Sequence, residues 1–327
     1  MERYVLVLDL GKDSVKSIGR NLEADASEIK KVIFKTKMYD LDDEFIELEG
    51  NSHLLQIDGK EFIIGEQGKI SEDNFETTKS NNLHKYAAYT AISQYLEPNT
   101  IENKIYIVLA CPLSVLASQE AKEAYKKLIK GTGTIKVSVD SENYEFEIAD
   151  IILKQEDSGI IYLKPEQFIN KVVALIGFGG LNMNFALYDN CTCQSKFSEE
   201  LGSIALTNYT KESLTSYLKG NIVTFHQSEK ALANGYLLKQ GQIDANSIKA
   251  IEKAKERFFN DAMNIIKRHN YDIDKLDSVV IVGGTSLKIE SIINRELKHS
   301  FITKNSQWDS VEGLYKIAIK KYGNVEM

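Results

Sequence analysis

Proline is scarce in this chain, with only Pro98, Pro112 and Pro165 among 327 residues. No Pro-rich or Ser/Gly-rich tract marks a linker, so domain boundaries have to be read from periodicity. Cysteine is equally thin. Cys111, Cys191 and Cys193 are odd in number and contain no CxxC. That argues against a disulfide framework or zinc site and for a reducing, cytoplasmic setting. Cys191-Thr192-Cys193 has no second ligand pair to complete a metal site. Positive charge is in deficit, with 40 Lys and Arg against 47 Asp and Glu and a net charge of −7. Direct, non-specific nucleic-acid binding is therefore not expected. No apolar run approaches the ~20 residues that a membrane span needs, and no membrane partner is expected. The first strand begins just after Arg3, so a secretory leader is not expected either. The five histidines are scattered, without HExxH or paired spacing, and none is assigned a metal or catalytic role.

What is present is globular: 43% hydrophobic and 27% charged residues, enough to bury a core in two domains of ordinary size. Residues 4–8 (YVLVL) form an apolar strand, and SVKSIGR pairs back on it after a turn. KKVIFKTKMYDL and HLLQIDGKEFIIGEQG alternate as strands do, with Asp58-Gly59 as a hairpin signal. LHKYAAYTAISQYL has helical spacing. KIYIVLACPL is a buried strand stopped by Pro112, and SQEAKEAYKKLIKG is a helix with a serine cap and a terminal glycine. TIKVSVDSENYEFEIADIIL reads as a hairpin plus a further strand. After Pro165 the pattern restarts: VVALIGFGGLNMNFALYDN repeats the strand, turn, strand shape of residues 4–20. Helices are expected at 209–219, 228–237, 246–269 and 309–321, with the strand SVVIVGG before the last. The expected architecture is α/β, two similar domains with mixed sheets. They span 1–163, with a small insertion at about 36–80, and 164–327, with a helical insertion at about 206–277.

Chemistry concentrates where buried strands run into glycine. Asp9, Gly11, Lys12, Asp13, Ser14 and Lys16 follow the first strand; GFGG (177–180) follows the second; Gly283-Gly284 follows VVIV and precedes Thr285-Ser286-Leu287. A plain hairpin turn accounts for one such stretch. A tight turn also points several backbone N–H groups at an anion, and glycine lets the backbone approach closely. Lys12 or Lys16 would add charge for phosphates, Asp9 could hold Mg²⁺ through water, and the third stretch suits a nucleoside or a helix-start anion. Three such turns, each after a buried strand, point to a bound nucleotide.

In order and spacing, LDLGKDSVK, LIGFGGLNMNFALYD and VVIVGGTSL resemble the two phosphate loops and the adenosine loop of the actin, sugar-kinase and heat-shock-chaperone ATPase superfamily. Within it, SEELGSIALTNYTKESL (198–214) and FITKNSQWDSVEGLYKI (301–317) resemble the plasmid-segregating bacterial actins of the ParM type. The resemblance implies an actin-like fold of two α/β domains flanking a nucleotide cleft. It also implies a cytoplasmic protein that binds ATP or GTP with Mg²⁺ and polymerises into a multi-stranded filament. Its plasmid DNA would be reached through a ParR-type adaptor on a centromere-like site. By position, Asp9, Gly11, Lys12, Asp13, Ser14 and Lys16 would line the first phosphate loop, with Asp9 towards the metal. Gly179, Gly180, Leu181, Asn182 and Gly202 would line the second, and Gly283, Gly284, Thr285, Ser286 and Leu287 the nucleoside. Lys253 and Arg257, early in the 246–269 helix, would touch base or ribose. The water-activating carboxylate would be Glu156 in ILKQEDSG, with Gln155 and Asp157 selected by a one-residue slip. A solvated polar loop is the plain alternative for that stretch.

The chain departs from the superfamily pattern as well. Gly177 stands where an acid usually begins the second phosphate loop, Leu181 and Asn182 where a hydroxyl residue follows the glycines, and Asn184 where a later acid is usual. Losing a carboxylate weakens Mg²⁺ binding or leaves Asp9 alone to organise it, so slow hydrolysis is expected. The alternatives are a small-molecule kinase of the same superfamily and a filament scaffold with little hydrolysis. The kinase would need a substrate-side acid at the cleft mouth, and ACPLSVLAS (110–118) supplies none.

Overall fold

The computed structural model describes residues 1–41, 47–71 and 79–323. The chain divides into two compact units, Met1–Leu163 with Trp308–Met327, and Lys164–Gln307.

In the first unit β1 (Glu2–Leu10) turns back into β2 (Ser14–Asn21), followed by β3 (Lys30–Lys35), β4 (Met38–Asp40), β5 (Ser52–Ile57) and β6 (Lys60–Gly65). Then come α1 (Asn82–Ser93), β7 (Asn103–Cys111), α2 (Leu113–Leu116), α3 (Gln119–Lys130), β8 (Ile135–Val139), β9 (Glu142–Gln155) and α4 (Gly159–Leu163). The second unit contains β10 (Val172–Phe178), β11 (Met183–Asp189), β12 (Thr192–Glu199), α5 (Ser203–Tyr217), α6 (Phe225–Asn234), β13 (Leu237–Lys239) and β14 (Gln242–Asp244). It continues with α7 (Ser247–Arg268), β15 (Ser278–Val282), α8 (Gly284–Lys288), α9 (Glu290–Glu296) and β16 (Ser300–Ile302). The helix α10 (Asp309–Tyr322), at the end of the chain, belongs to the first unit.

Among the described residues of the first unit, nine strands form one sheet in the order β3-β2-β1-β7-β9-β8-β5-β6-β4, with β1, β7 and β9 mutually parallel. Its centre is covered on both faces, which is why β1 reads as a continuous apolar run. Tyr4, Leu6, Leu8 and Leu10 face the core shared with α1 and α3. Val5 and Val7 face Val311, Leu314 and Ala318 of α10. Each such Val or Leu side chain contributes about 1.5–3 kcal/mol by burial. A Cβ added to Gly313 of α10 would lie 1.7 Å from Gly159 O of α4, so these helices meet backbone to backbone. The segment 36–80 supplies β4, β5 and β6, and β5 joins the main sheet through Leu55 and Gln56 opposite Val139 and Ser138 of β8; residues 42–46 and 72–78 of it lie outside the described residues. At the β5–β6 turn Asp58 and Gly59 have φ of 52° and 75°, the backbone that a two-residue hairpin demands.

Residues 135–155 differ from a hairpin plus a further strand. β9 runs unbroken for 14 residues, pairing antiparallel with β8 and parallel with β7. A register shift opposite Ile105/Tyr106 lets one strand serve both neighbours.

The second unit's sheet runs β12-β11-β10-β15-β16, with β10 parallel to β15. Ile251, Ala254, Phe258, Phe259, Ala262, Ile265 and Ile266 form the buried stripe of α7, at three- and four-residue spacing. Phe258 meets Phe178 at the end of β10, with ring centroids 5.4 Å apart.

Candidate functional site

Each unit gathers part of the expected site. In the first, β1, β7 and β9 are neighbours that end together, with Asp9 beside Ala110, and Cys111 beside Gln155. Ligands of α/β sheets sit outside such carboxyl ends. Asp9 faces Lys16 across the hairpin, with Lys16 Nζ 3.6 Å from Asp9 Oδ2. The turn between them is tight: a Cβ on Gly11 would lie 2.6 Å from Ser14 O. Thr36 Oγ1 donates to Gly11 O at 2.6 Å. Asp13 turns to β3, where its carboxylate accepts from Lys35 Nζ at 2.9 Å and from Ser14 Oγ at 2.7 Å. Lys12 is buried.

The three acid or amide candidates occupy different positions. Gln155 ends β9, and its carbonyl accepts from Ser158 Oγ at 2.7 Å. Asp157 has φ of 67°. Glu156 lies in the turn between them, its N–H donating to Cys111 O at 3.1 Å, and its carboxylate accepts from Lys79 Nζ. The Lys79 side chain is 4% exposed. Burial alone would lower its pKa, but Glu156 and Asp9 outweigh burial and hold the ammonium above its ordinary value. Burial, together with Lys79 and Lys12, pushes the imidazole of His84 well below its ordinary value and keeps it neutral. The hydroxyl of Tyr125 is pushed well up by burial and by Cys111, Glu156 and Asp9. A charge cluster thus sits under the first turn. Sequence reasoning missed Lys79, because an isolated lysine in a polar stretch has no spacing that distinguishes it.

In the second unit the glycine stretches converge. Gly179 N–H donates to Asn182 O at 2.9 Å, closing the β10–β11 turn. Gly179 O and Gly180 O in turn accept from the N–H groups of Ser203 and Ile204, both at 3.0 Å, so the turn caps α5. Thr285 Oγ1 donates to Gly179 O at 3.0 Å, which ties the third stretch to the second. Close approach requires glycine at two further positions. A Cβ on Gly202 would lie 2.4 Å from Gly180 O, and one on Gly283, at φ 97°, 2.3 Å from Phe178 O. Gly284 to Leu287 lie in α8, whose Ser286 Oγ donates to Gly283 O at 2.6 Å. Asn182 Oδ1 is buried, with no hydrogen-bond partner among the described residues. Gly177 sits inside β10 opposite Asn184, beside Val282.

Lys253 and Arg257 line a groove of about 680 Å³ between α5 and α7 whose lining includes none of the glycine turns. Arg257 donates to Glu212 Oε2 at 2.7 Å and stacks 3.9 Å from the Tyr209 ring.

Compared with known proteins, residues 8–157 match the family model described as the actin-like proteins' N-terminal domain. A solved structure of the Alp12 filament is 48% identical to this chain, covers 98% of it and 100% of its own length, and superposes with a TM-score of 0.71. The chain belongs to the actin-like protein family. Its fold is the actin-like one, as two more distant structures also show. The archaeal actin homolog Ta0583 is 16% identical with a TM-score of 0.78, covering 98% of this chain and 100% of its own. The ParM of a 15-stranded filament from Clostridium botulinum is 18% identical, with a TM-score of 0.73 and coverage of 98% and 100%. No curated protein matches the chain. Among the described residues of this actin-like protein, no helix is long and apolar enough to cross a membrane, and no group of three or more His, Cys, Asp or Glu is arranged to hold a metal.

Proposed function

We propose that this actin-like protein polymerises with bound nucleotide into a filament that segregates plasmid DNA, and that hydrolysis turns the filament over. The observation that carries the reading is 48% identity, along the whole chain, to a protein solved as a filament. An archaeal protein sharing the fold was solved in complex with ADP, and we infer ATP or GTP as the substrate here. In the first unit Gly11, Lys12, Asp13, Ser14 and Lys16 line a phosphate turn. In the second, Gly179, Gly180, Leu181, Asn182 and Gly202 line a phosphate turn, and Gly283 to Leu287 bear on the nucleoside. The glycines where a Cβ would meet neighbouring backbone keep these turns tight, as a phosphate turn requires. Lys253 and Arg257 would reach the base from their groove.

Mg²⁺, when bound, would neutralise charge on the phosphates. Asp9 is the one acid of this chain assigned to it, so waters and phosphate oxygens would complete the shell. Glu156 orients and deprotonates the attacking water, with Gln155 and Asp157 as neighbouring candidates; phosphoryl transfer asks mainly for such positioning and charge neutralisation. With Gly177 in place of an acid, slow turnover is expected. That same residue favours a second reading, a scaffold filament with little hydrolysis. The acidic chain would reach DNA through a ParR-type adaptor on a centromere-like site, in the cytoplasm.

Pelleting of purified protein, with negative-stain microscopy of the pellet, tests the reading. Filaments that require Mg²⁺ with ATP or GTP support it. Filaments that form equally without nucleotide favour the scaffold. A soluble monomer under every condition refutes both.

A further inference from the structure

The Lys79–Glu156 pair has a consequence for turnover, one that rests on the reading of Glu156 as the residue that activates water. Two observations bear on the pair. The first is burial. Lys79 and Glu156 side chains are 4% and 19% exposed, whereas Arg257 and Glu212, equally well paired, are 53% and 61% exposed. An exposed pair is worth little and opens freely, but a buried ammonium cannot leave its carboxylate without stranding a charge away from water. The second is backbone strain. Lys79 and Asp157, the neighbour of Glu156, both adopt left-handed φ, of 56° and 67°. Such conformations persist only where surrounding structure enforces them, and they gather at functional sites. One strained residue belongs to the pair and the other follows Glu156, and the three parallel strands that carry Asp9, Cys111 and Gln155 end beside the pair.

We infer that Lys79 is a positioning residue for hydrolysis, whose buried ammonium holds the Glu156 carboxylate in one orientation. The ammonium takes Oε1, which leaves Oε2 to accept from the attacking water. Lys79 lies two residues before Asn81, the N-cap of α1, whose Oδ1 accepts from His84 N at 3.1 Å and lies 2.7 Å from His84 Nδ1. The start of α1 is thereby tied to the carboxylate that acts on water. Neutral His84 adds no positive charge that would compete with Lys79 for Glu156.

The test is steady-state phosphate release by the full chain with Mg²⁺ and whichever of ATP or GTP it turns over. It uses the wild type, Lys79→Met, Lys79→Arg, Glu156→Gln and the double variant Lys79→Met/Glu156→Gln. Lys79→Met should lower kcat by about tenfold or more, the scale of a mispositioned general base, and leave the half-saturating nucleotide concentration unchanged. Lys79→Arg should restore most of the rate. In the Glu156→Gln background the Lys79 substitution should have no further effect, because residues acting through one group are not additive. Wild-type kcat in Lys79→Met, or a Lys79 effect that multiplies fully onto that of Glu156→Gln, overturns the inference. Should Lys79→Met not fold, Lys79→Gln takes its place, with the same slow rate expected and a wild-type rate overturning it. The underlying reading fails differently: Glu156→Gln would then release phosphate at the wild-type rate, or the wild type would release none.

Discussion

Replacing Gly283 by alanine tests the claim that the glycine turns of the second unit are built by close backbone approach. Gly283 has φ 97° and ψ 152°, a region that is essentially glycine's own, and a side chain there costs about 1–3 kcal/mol. The added Cβ would also meet Phe178 O at 2.3 Å. Phe178 O is backbone and the Cβ is fixed rigidly to the backbone of Gly283, so the strand end or the helix start must move, at a further cost of about 1–3 kcal/mol. Gly220 is the internal control: its φ is 95°, but no atom lies within 4 Å of an added Cβ. Gly220→Ala therefore carries the backbone term alone. At roughly 2–4 °C per kcal/mol for a unit of this size, Gly283→Ala should lower the melting temperature by roughly 4–24 °C. Gly220→Ala should lower it by roughly 2–12 °C, about half as much. Scanning calorimetry of the two variants in parallel reads the difference. Equal melting temperatures would refute the close approach at Gly283, whatever their absolute values.

Further tests address the other elements. Asp9→Ala should abolish Mg²⁺-dependent assembly, checked by pelleting across a Mg²⁺ titration; unchanged assembly would remove Asp9 from the metal. Gly177→Asp should lower the Mg²⁺ concentration needed for half-maximal phosphate release, and an unchanged requirement would count against the missing acid as the cause of slow turnover. His84 is neutral when folded, its pKa pushed well below 6.5 by burial, Lys79 and Lys12. Below about pH 6.5 the unfolded chain binds a proton that the folded one refuses. Stability is therefore full above that pH and falls below it, by up to about 1.4 kcal/mol per pH unit. Denaturant melts from pH 7 to 5 should show a shallower fall in His84→Gln, and parallel curves for variant and wild type would contradict this.

Much of the fold was legible because its constraints are local. The β1–β2 and β10–β11 turns announce themselves as buried strands ending in glycine, and α7 by a stripe from Ile251 to Ile266 at helical spacing. Asp58-Gly59 spelled out its own hairpin, and Ser118 its helix cap, accepting from Ala121 N. What escaped depends on contacts distant in sequence. Neither composition nor spacing says that α10 packs on β1 and β7, or that a single strand, β9, serves two neighbours. Lys79 meets Glu156 across 77 positions, and no pattern in the sequence announces such a pair. The glycine turns were readable as tight turns for a chemical reason: where backbone must approach backbone closely, as at Gly202 and Gly283, side chains are excluded. Arg257 was readable only as a helix position, because its neighbours Tyr209 and Glu212 come from another helix.

The central claim is that nucleotide drives assembly and hydrolysis undoes it. The most direct measurement is light scattering after Mg²⁺ with ATP or GTP is added, with phosphate release followed in the same sample. The account predicts a rise that decays as phosphate appears, and a rise without decay when a non-hydrolysable analogue is used. Scattering that stays flat with every nucleotide, in a protein that remains monomeric, would contradict it.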